Sequence, residues 1–355
     1  MLNIIAAILV FGFIVLVHEF GHFLLAKLNG IGVVEFSIGM GPRLFSFVKG
    51  ETRYSIKILP FGGSCMMVGE DEDASDPKAF AGKPVWARIA VIAAGPGFNF
   101  ILAFLFALIL VAHTGHDSPV LTSVMDGYPA QEAGLMAGDK LVKINGRRVS
   151  AYRDVGLYLM SHPGKTVTVK LERPEGGTWE KGTPFQTMEK VLTPAYSAEQ
   201  GSYMIGAYFE GYKKVTSLPQ LIRYSAYEVK FCVVSTFDSL RMLFSRQVKA
   251  DEAVAGPVRI VSMVGETVGE GRAAGGSALL LIVSYWILLL STSLGIMNLL
   301  PIPALDGGRL VFLLLELLRG KPIDPEKENM VHMVGMMALM ALMVLVLFND
   351  VRNLM

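Results

Sequence analysis

Five consecutive residues near the start of the chain form a pattern typical of metal-dependent hydrolysis: His18-Glu19-Phe20-Gly21-His22. Side chains four residues apart lie on one face of a helix, so His18 and His22 can bind a single Zn²⁺ ion together. The carboxylate of Glu19 lies beside them and can accept a proton from an attacking water molecule. Because three ionisable side chains in an apolar segment are costly without a function, we expect a zinc site here, with Glu19 as the general base.

A zinc site built on two histidines needs a third protein ligand, because catalytic zinc commonly has three protein ligands and a water. No histidine or glutamate follows His22 within the next helical turns. The best candidate is Asp306, which follows Pro301 and Pro303 in the segment 298–308. Two closely spaced prolines cannot continue a helix, so we expect the preceding helix to end or unwind just before Asp306.

These side chains are predicted to lie on or beside membrane-spanning helices. Of the 355 residues, 52% are hydrophobic and 18% are charged, which favours a membrane protein that lies in the lipid bilayer. Four stretches reach the roughly 20 apolar residues that a membrane span requires: 2–28, 89–112, 277–300 and 331–348. They belong to an N-terminal membrane half, residues 1–112, and a C-terminal membrane half, residues 277–355. The net charge of +1 gives no reason to expect nucleic acid binding.

Basic residues indicate how the chain is oriented in the membrane. They cluster in the loop between the first two spans and in the short loop between the last two, so both loops are predicted to be cytoplasmic. The N-terminus, the C-terminus and the long segment between spans two and three would then lie outside. In this orientation His18, His22 and Asp306 all lie towards the cytoplasmic side, which supports Asp306 as the third ligand.

Between the spans we expect three further regions. Residues 33–63 form a β-loop, because β-forming clusters at 33–38 and 53–59 are separated and closed by glycines and prolines. Much of this loop is apolar, so it is predicted to associate with the membrane. The outer segment shows strands and turns over residues 117–212, and residues 213–276 then change to an amphipathic helical connector.

Three motifs together resemble the bacterial site-2 proteases, intramembrane zinc metalloproteases of the regulator-of-sigma-E protease type. The motifs are HEFGH in the first span, GPGFNF in the second and NLLPIPALDGG at the end of the third. The resemblance covers essentially the whole chain. It implies that the zinc is held by His18, His22 and Asp306, that Glu19 is the catalytic residue, and that the protein lies in the bacterial inner (cell) membrane.

The same resemblance implies a binding role for residues near the end of span three. Asn298 and the region of Pro301 and Pro303 would help to hold an extended substrate strand, and the first cytoplasmic loop would be a membrane-associated β-structure. From the residues alone, an interhelical polar contact or a helix C-cap is as good an interpretation of Asn298.

Residues 117–212 contain three motifs, in order, that resemble a bacterial PDZ domain: GYPAQEAGL at 127–135, GDKL at 138–141 and ING at 144–146. Domains of this α+β type capture extended peptides or C-termini at a strand edge. We expect one such domain on the extracytoplasmic side, acting as a substrate sensor or as a size filter. The predicted fold class is thus a multi-pass α-helical membrane protein with four transmembrane helices, a cytoplasmic membrane-associated β-loop and an inserted extracytoplasmic PDZ domain.

The predicted function is that of an intramembrane zinc endopeptidase, which hydrolyses peptide bonds within or near the transmembrane segments of single-span membrane proteins. The resemblance implies regulated intramembrane proteolysis, with trimmed anti-sigma factors or signal-peptide remnants as substrates. The alternative is a non-catalytic, zinc-containing PDZ protein that binds or scaffolds partners at the membrane. Glu19 favours the enzyme, because a structural zinc site needs no base beside its ligands. A metal transporter would require polar residues along a continuous path, and spans two and four offer almost none.

Overall fold

The computed structural model describes residues 2–70, 76–180, 182–245, 247 and 256–354. The chain forms two compact units: a membrane unit, Met1–Ile109 with Arg246–Met355, and an inserted unit, Leu110–Ser245. Parts of the predicted domains lie outside the described residues: the termini at 1 and 355, residues 71–75 of the N-terminal membrane half, residue 181, and residues 246 and 248–255 of the predicted connector.

Nine helices are found in the described ranges. In chain order they are α1 (Leu2–Leu28), α2 (Val85–Thr114), α3 (Pro129–Glu132), α4 (Tyr152–Ser161), α5 (Leu218–Phe244), α6 (Pro257–Ala274), α7 (Gly276–Leu299), α8 (Asp306–Arg319) and α9 (Pro325–Leu354). Four of these, α1, α2, α7 and α9, are long and apolar enough to cross a membrane. Both α2 and α9 extend beyond the predicted spans 89–112 and 331–348, because their more polar ends continue the helical hydrogen bonds past the apolar segment.

The described strands are short except for the first two. In chain order they are β1 (Val33–Lys49), β2 (Thr52–Met67), β3 (His116–Asp117), β4 (Leu121–Val124), β5 (Lys140–Ile144), β6 (Arg147–Arg148), β7 (Val167–Pro174), β8 (Phe185–Leu192), β9 (Ala195–Ser197), β10 (Ser202–Met204), β11 (Ala207–Phe209) and β12 (Tyr212–Lys213). The β-loop predicted for residues 33–63 is therefore longer than expected, since β2 continues to Met67.

The strands of the membrane unit, β1 and β2, pair antiparallel and are both bent. Residues 35–38 of β1 pair with residues 53–56 of β2 on one side and with residues 63–66 on the other. Gly39 and Gly62 have positive φ angles at the bends, a conformation that glycine adopts without strain. Among the described residues, 63–66 pair only with this part of β1 and so form an outer edge of the sheet.

Helix α1 lies at the centre of the membrane unit. Its residue Val10 packs with Leu102 of α2 and Ile287 of α7. Near the N-terminus, Ala7 belongs to a cluster shared with α6 and α7, and at the other end Ala26 belongs to one shared with the β-sheet and α2. Burial of this apolar surface fixes the helices that carry the polar residues of interest.

The inserted unit contains a four-stranded antiparallel sheet in the order β6-β5-β7-β8 and three two-stranded pairs, β4 with β11, β9 with β10 and β3 with β12. Asn145 and Gly146, with φ angles of 45° and 79°, form a tight turn between β5 and β6. The core joins the sheet to α4, with Leu141 and Val169 packing in the same cluster as Leu159.

Candidate metal centre

Three of the predicted site residues converge in the membrane unit. Nε2 of His18 lies 3.2 Å from Oδ2 of Asp306, and Nε2 of His22 lies 3.4 Å from the same oxygen. The two imidazole nitrogens are 3.2 Å apart. In the described part of the chain, this is the one group of three or more His, Cys, Asp or Glu side chains whose ligand atoms come close enough to hold a metal ion.

Helix α2 determines which nitrogen of His22 can bind a metal. Nδ1 of His22 lies 2.9 Å from the backbone carbonyl oxygen of Val91, and Nδ1 must carry the proton because a carbonyl can only accept. The lone pair of Nε2 is therefore free, and this nitrogen faces His18 and Asp306. A neutral imidazole oriented by its second nitrogen in this way is the form that zinc binds.

Asn99 of α2 lies beside Nδ1 of His18, as the carbonyl of Val91 lies beside Nδ1 of His22. Its side-chain nitrogen lies 3.0 Å from Nδ1 of His18, whereas its buried side-chain oxygen has no hydrogen-bond partner among the described residues. Turning the amide by 180° lets the oxygen accept from Nδ1–H, which leaves Nε2 of His18 as a metal ligand. The hydroxyl of Ser291 on α7 donates to the backbone carbonyl of Asn99 at 2.9 Å and links the two helices here.

The close packing of α2 against α1 requires glycine at one position. A Cβ atom at Gly95 would lie 2.8 Å from Cε1 of His18 and closer still to Nε2 of His22. Since carbon atoms in contact are normally about 3.5–4.0 Å apart, a larger residue would displace both imidazoles. The glycine thus has a steric role beside the converging histidines.

Asp306 reaches the histidines because α7 ends before it. The last helical residue is Leu299, Leu300 is extended, and Pro301 and Pro303 prevent the helix from continuing, as the sequence predicted. The chain then turns, and α8 begins at Asp306, where an acidic side chain in the first helical turn is favourable. Its buried Oδ2 atom faces the two imidazoles and has no hydrogen-bond partner among the residues that the structure describes.

The donor set fits a zinc ion. In a tetrahedral site with bonds of about 2.0–2.2 Å, the ligand atoms lie about 3.3–3.6 Å apart. The three separations between the nitrogens of His18 and His22 and the oxygen of Asp306 are 3.2, 3.2 and 3.4 Å. Buried polar atoms normally have partners, and a cation between these three atoms would satisfy the carboxylate oxygen and both lone pairs at once.

Glu19 is next to His18 on α1 and is half-buried. It lies against the outer edge of the sheet, since a Cβ atom at Gly63 would be 2.8 Å from Cγ of Glu19. A carboxylate beside a metal centre has the chemistry of a general base. The strand edge at residues 63–66 therefore runs past the group that is expected to act on a substrate.

The three predicted substrate-binding residues lie in different surroundings. Nδ2 of Asn298 lies 3.5 Å from Nε2 of His18, so this side chain borders the metal centre. Pro301 is exposed, and Pro303 lies against Gly335 of α9. Of the three residues, Asn298 contacts His18, and the two prolines shape the turn that leads to Asp306.

Asn99 and Gly95 are two residues near the histidines whose roles the sequence did not indicate. A polar residue in an apolar span is costly and so indicates a function, which was the available signal for Asn99. Its partner, however, depends on how α2 packs against α1. Nearby on α8, Glu316 forms an ion pair with Arg88 of α2.

Comparison with known proteins gives independent information about the chain. The family model described as peptidase family M50 matches residues 6–342. A zinc metalloprotease RasP from Bacillus licheniformis is 33% identical, over 99% of this chain and 99% of its own length. The regulator of sigma-W protease RasP from Bacillus subtilis is 31% identical with the same coverage. A putative zinc metalloprotease from Clostridium acetobutylicum is 37% identical over 93% of this chain and 91% of its own.

Proposed function

Since the chain belongs to peptidase family M50, the site-2 protease family, and is a zinc metalloprotease of the membrane, we propose that His18, His22 and Asp306 hold its zinc and that Glu19 is the general base. One observation supports this most strongly. The ligand atoms of the three residues lie 3.2 to 3.4 Å from one another, directly beside Glu19.

Each side chain would have a separate task in peptide hydrolysis. Bound zinc supplies Lewis acidity towards water and towards the scissile carbonyl. The carboxylate of Asp306 balances part of the positive charge of the ion. Glu19 takes the proton of the attacking water and delivers it to the leaving amine. The carbonyl of Val91 and the side chain of Asn99 keep both imidazoles in the tautomers that leave Nε2 free.

We further propose that the substrate is the transmembrane segment of a single-span membrane protein, bound as an extended strand. A helix keeps its carbonyls in internal hydrogen bonds, so the segment must unwind locally before it can be attacked. The outer edge at residues 63–66 lies beside Glu19 and is suited to pair with an unwound strand by β-addition. Asn298, which borders the metal centre, would supply a further donor or acceptor.

For the inserted unit we propose capture of an extended peptide or a C-terminus in the manner of a PDZ domain. A cavity of about 910 Å³ lies between α4 and the strands β10 and β11. Its wall is largely apolar and aromatic, and includes Leu159, Met160, Tyr196, Tyr203 and Tyr208. Such a surface would bind the apolar side chains of a peptide, while a strand edge of the domain pairs with the peptide backbone. The domain would then serve as a substrate sensor or as a size filter.

The distribution of basic residues supports an orientation with the active site towards the cytoplasm and the PDZ domain outside. In this arrangement the protein would take part in regulated intramembrane proteolysis of trimmed anti-sigma factors or signal-peptide remnants. A non-catalytic scaffold protein is the weaker hypothesis, because such a protein would have no use for Glu19 beside the converging ligands.

Purified full-length protein in detergent, mixed with a single-span membrane substrate, tests the proposed site. We expect Glu19→Gln to retain zinc but to cleave about 100- to 10,000-fold more slowly, which is the usual contribution of a general base. Glu266→Gln, on the exposed face of α6, is the matched control and should cleave at the wild-type rate. Cleavage by Glu19→Gln at the wild-type rate would remove Glu19 from the mechanism.

A further inference from the structure

The turn between α7 and α8, residues 300–305, presents Asp306 to the histidines and contains a conformation that is unfavourable for its sequence. Ala304 has a φ angle of 75°, in the left-handed region that residues with a Cβ rarely adopt. Apart from Asn145 in its tight turn, Ala304 is the only non-glycine residue with positive φ in the described chain. A backbone held in this way must be stabilised by its surroundings.

His332 of α9 provides a hydrogen bond to this unfavourable position. The backbone N–H of Ala304 donates to Nδ1 of His332 at 2.9 Å. Because Nδ1 accepts, it carries no proton, and the neutral ring has its proton on Nε2. Nε2 lies 3.9 Å from a carboxylate oxygen of Glu328, one turn earlier on α9, and the ring also contacts Phe312 of α8. The imidazole thus joins α9 both to the turn and to the helix that follows it.

Gly335, three residues further along the same side of α9, brings the helix backbone against the same turn. It is buried, and a Cβ atom there would lie 2.8 Å from the carbonyl oxygen of Pro303 and closer still to the Cβ of Pro303. Only glycine permits such an approach. The turn is therefore contacted at Pro303 and Ala304 by adjacent residues on one side of α9.

The other end of α9 is anchored separately within the membrane unit. The carboxylate of Asp350 accepts from the backbone N–H groups of Gly256, Val258 and Arg259 at 3.0 to 3.2 Å, at the start of α6. At 1.5 Å per residue, Asp350 lies about 27 Å along the helix from His332. Only 6% of the most apolar stretch of α9 is buried within the protein, so the contacts at the two ends of the helix matter for its position.

We propose that His332 and Gly335 are positioning residues for Asp306, and that α9 holds the turn in the conformation that places this carboxylate at the imidazoles. This inference rests on the proposed role of Asp306 as a zinc ligand. Without an acceptor at position 332, the N–H of Ala304 loses its partner and the unfavourable φ angle loses its support. The two residues act through the turn and not on the reacting atoms, so zinc affinity is the property they control.

Zinc affinity of the purified full-length protein, measured by competition with a chelator, tests this inference. We expect His332→Leu, which keeps an apolar contact but has no acceptor, to weaken zinc binding about 10-fold or more. His332→Asn places an oxygen near the position of Nδ1 and should restore affinity to within about threefold of wild type. Gly335→Ala should weaken zinc binding to a similar extent as His332→Leu.

Two control variants leave the turn untouched. Met337→Ala changes an exposed side chain of α9, and Gly276→Ala adds a methyl group where the structure has room for it. Both should bind zinc with wild-type affinity. If His332→Leu does not fold, as judged by circular dichroism, Gly335→Ala decides the question by itself.

Wild-type zinc affinity in His332→Leu or Gly335→Ala, or a failure of His332→Asn to restore it, would overturn the inference. Asp306→Asn, measured alongside, separates this result from a failure of the proposed function. If Asp306→Asn loses zinc while His332→Leu keeps it, only the positioning role is refuted. If Asp306→Asn itself keeps zinc with full affinity, the ligand assignment on which the inference rests is refuted.

Discussion

Buried carboxylates have different partners in the two units of the molecule. In the inserted unit, the fully buried Asp139 accepts from Arg173 through both oxygens, at 2.6 and 2.7 Å. Asp117, also buried, accepts from Arg153 in the same bidentate geometry, at 2.9 and 3.1 Å. In the membrane unit, Asp306 forms no ion pair with an arginine or lysine among the described residues, and it faces two imidazoles instead.

This difference shows what each carboxylate requires. An ionised carboxylate that is removed from water must be balanced by a cation with good geometry, and a bidentate arginine is one solution. Asp139 has that cation within the chain. Neutral imidazoles carry no positive charge and cannot balance Asp306, so we propose that a metal ion held between the three residues supplies the cation. Under the proposed assignment, arginine balances the buried carboxylate in the inserted unit and zinc balances it in the membrane unit.

The largest effect that separates the two units is expected from Arg173→Met. The substitution leaves Asp139 buried without its cation, so the inserted unit should lose about 3–5 kcal/mol of stability. The zinc content of the membrane unit should not change. Hydrogen exchange of the strands β5 and β7, together with zinc analysis, measures both quantities. Arg148→Met, at an exposed position of the same unit, is the matched control and should leave both unchanged.

A smaller effect, a loss of zinc affinity, is expected from Asn99→Ala in the membrane unit. Loss of the group that orients His18 should lower zinc affinity about 10- to 100-fold, because outer hydrogen bonds to metal-bound histidines commonly have this effect. Thr292→Ala is a suitable control, since its buried hydroxyl donates to the carbonyl of Leu288 in its own helix. Equal zinc affinities of Asn99→Ala and wild type would show that His18 needs no such support.

The smallest effect is on the stability of the membrane unit and comes from Glu35. This carboxylate of β1 is paired with Arg43 at 2.7 and 2.8 Å. The hydrogen bonds from Arg43, helped by Ser55, lower the pKa of Glu35 to about 2 from the usual 4.5. Because the pKa is lowered in the folded state, the stabilisation is complete above about pH 4.5 and is lost as the pH falls towards 2. Arg43 is about half exposed, so solvent and salt reduce the effect.

Hydrogen exchange of β1 and β2 over the same pH range measures this contribution. Wild-type strands should exchange faster as the pH falls below about 4.5, after correction for the intrinsic rate of exchange. In Glu35→Gln the strands should exchange faster at neutral pH and show a weaker additional acid dependence. An unchanged acid dependence in Glu35→Gln would assign the effect to another group.

The sequence was sufficient to propose the half of the candidate metal centre that lies on one helix. His18, Glu19 and His22 have a geometry that helical spacing alone defines. Asp306 could be proposed from the prolines before it and from the charge topology, but its distance from the histidines depends on how α1 and α7 pack. Asn99 could not be given a partner, because a span that is apolar all round does not specify its rotation about its own axis.

Helices and helix ends were predicted from sequence where a single local pattern is strong. Long apolar runs located all four candidate spans, and Pro301 and Pro303 located the end of α7. The β-loop was predicted too short, because the pairing of residues 35–38 with two separate parts of β2 is a non-local contact. The contact of His332 with Ala304 is also non-local, and it is seen only when α9 is packed against the turn.

The central claim, that Asp306 is balanced by zinc and Asp139 by arginine, is tested most directly by changing each carboxylate to its amide. Asp306→Asn should lower zinc affinity at least about 100-fold, more than the loss of an outer hydrogen bond, and should leave the inserted unit as stable as in wild type. Asp139→Asn should destabilise the inserted unit and leave zinc affinity unchanged. Zinc affinity of the purified full-length variants, measured by chelator competition, is the deciding quantity. Wild-type affinity in Asp306→Asn would contradict the account.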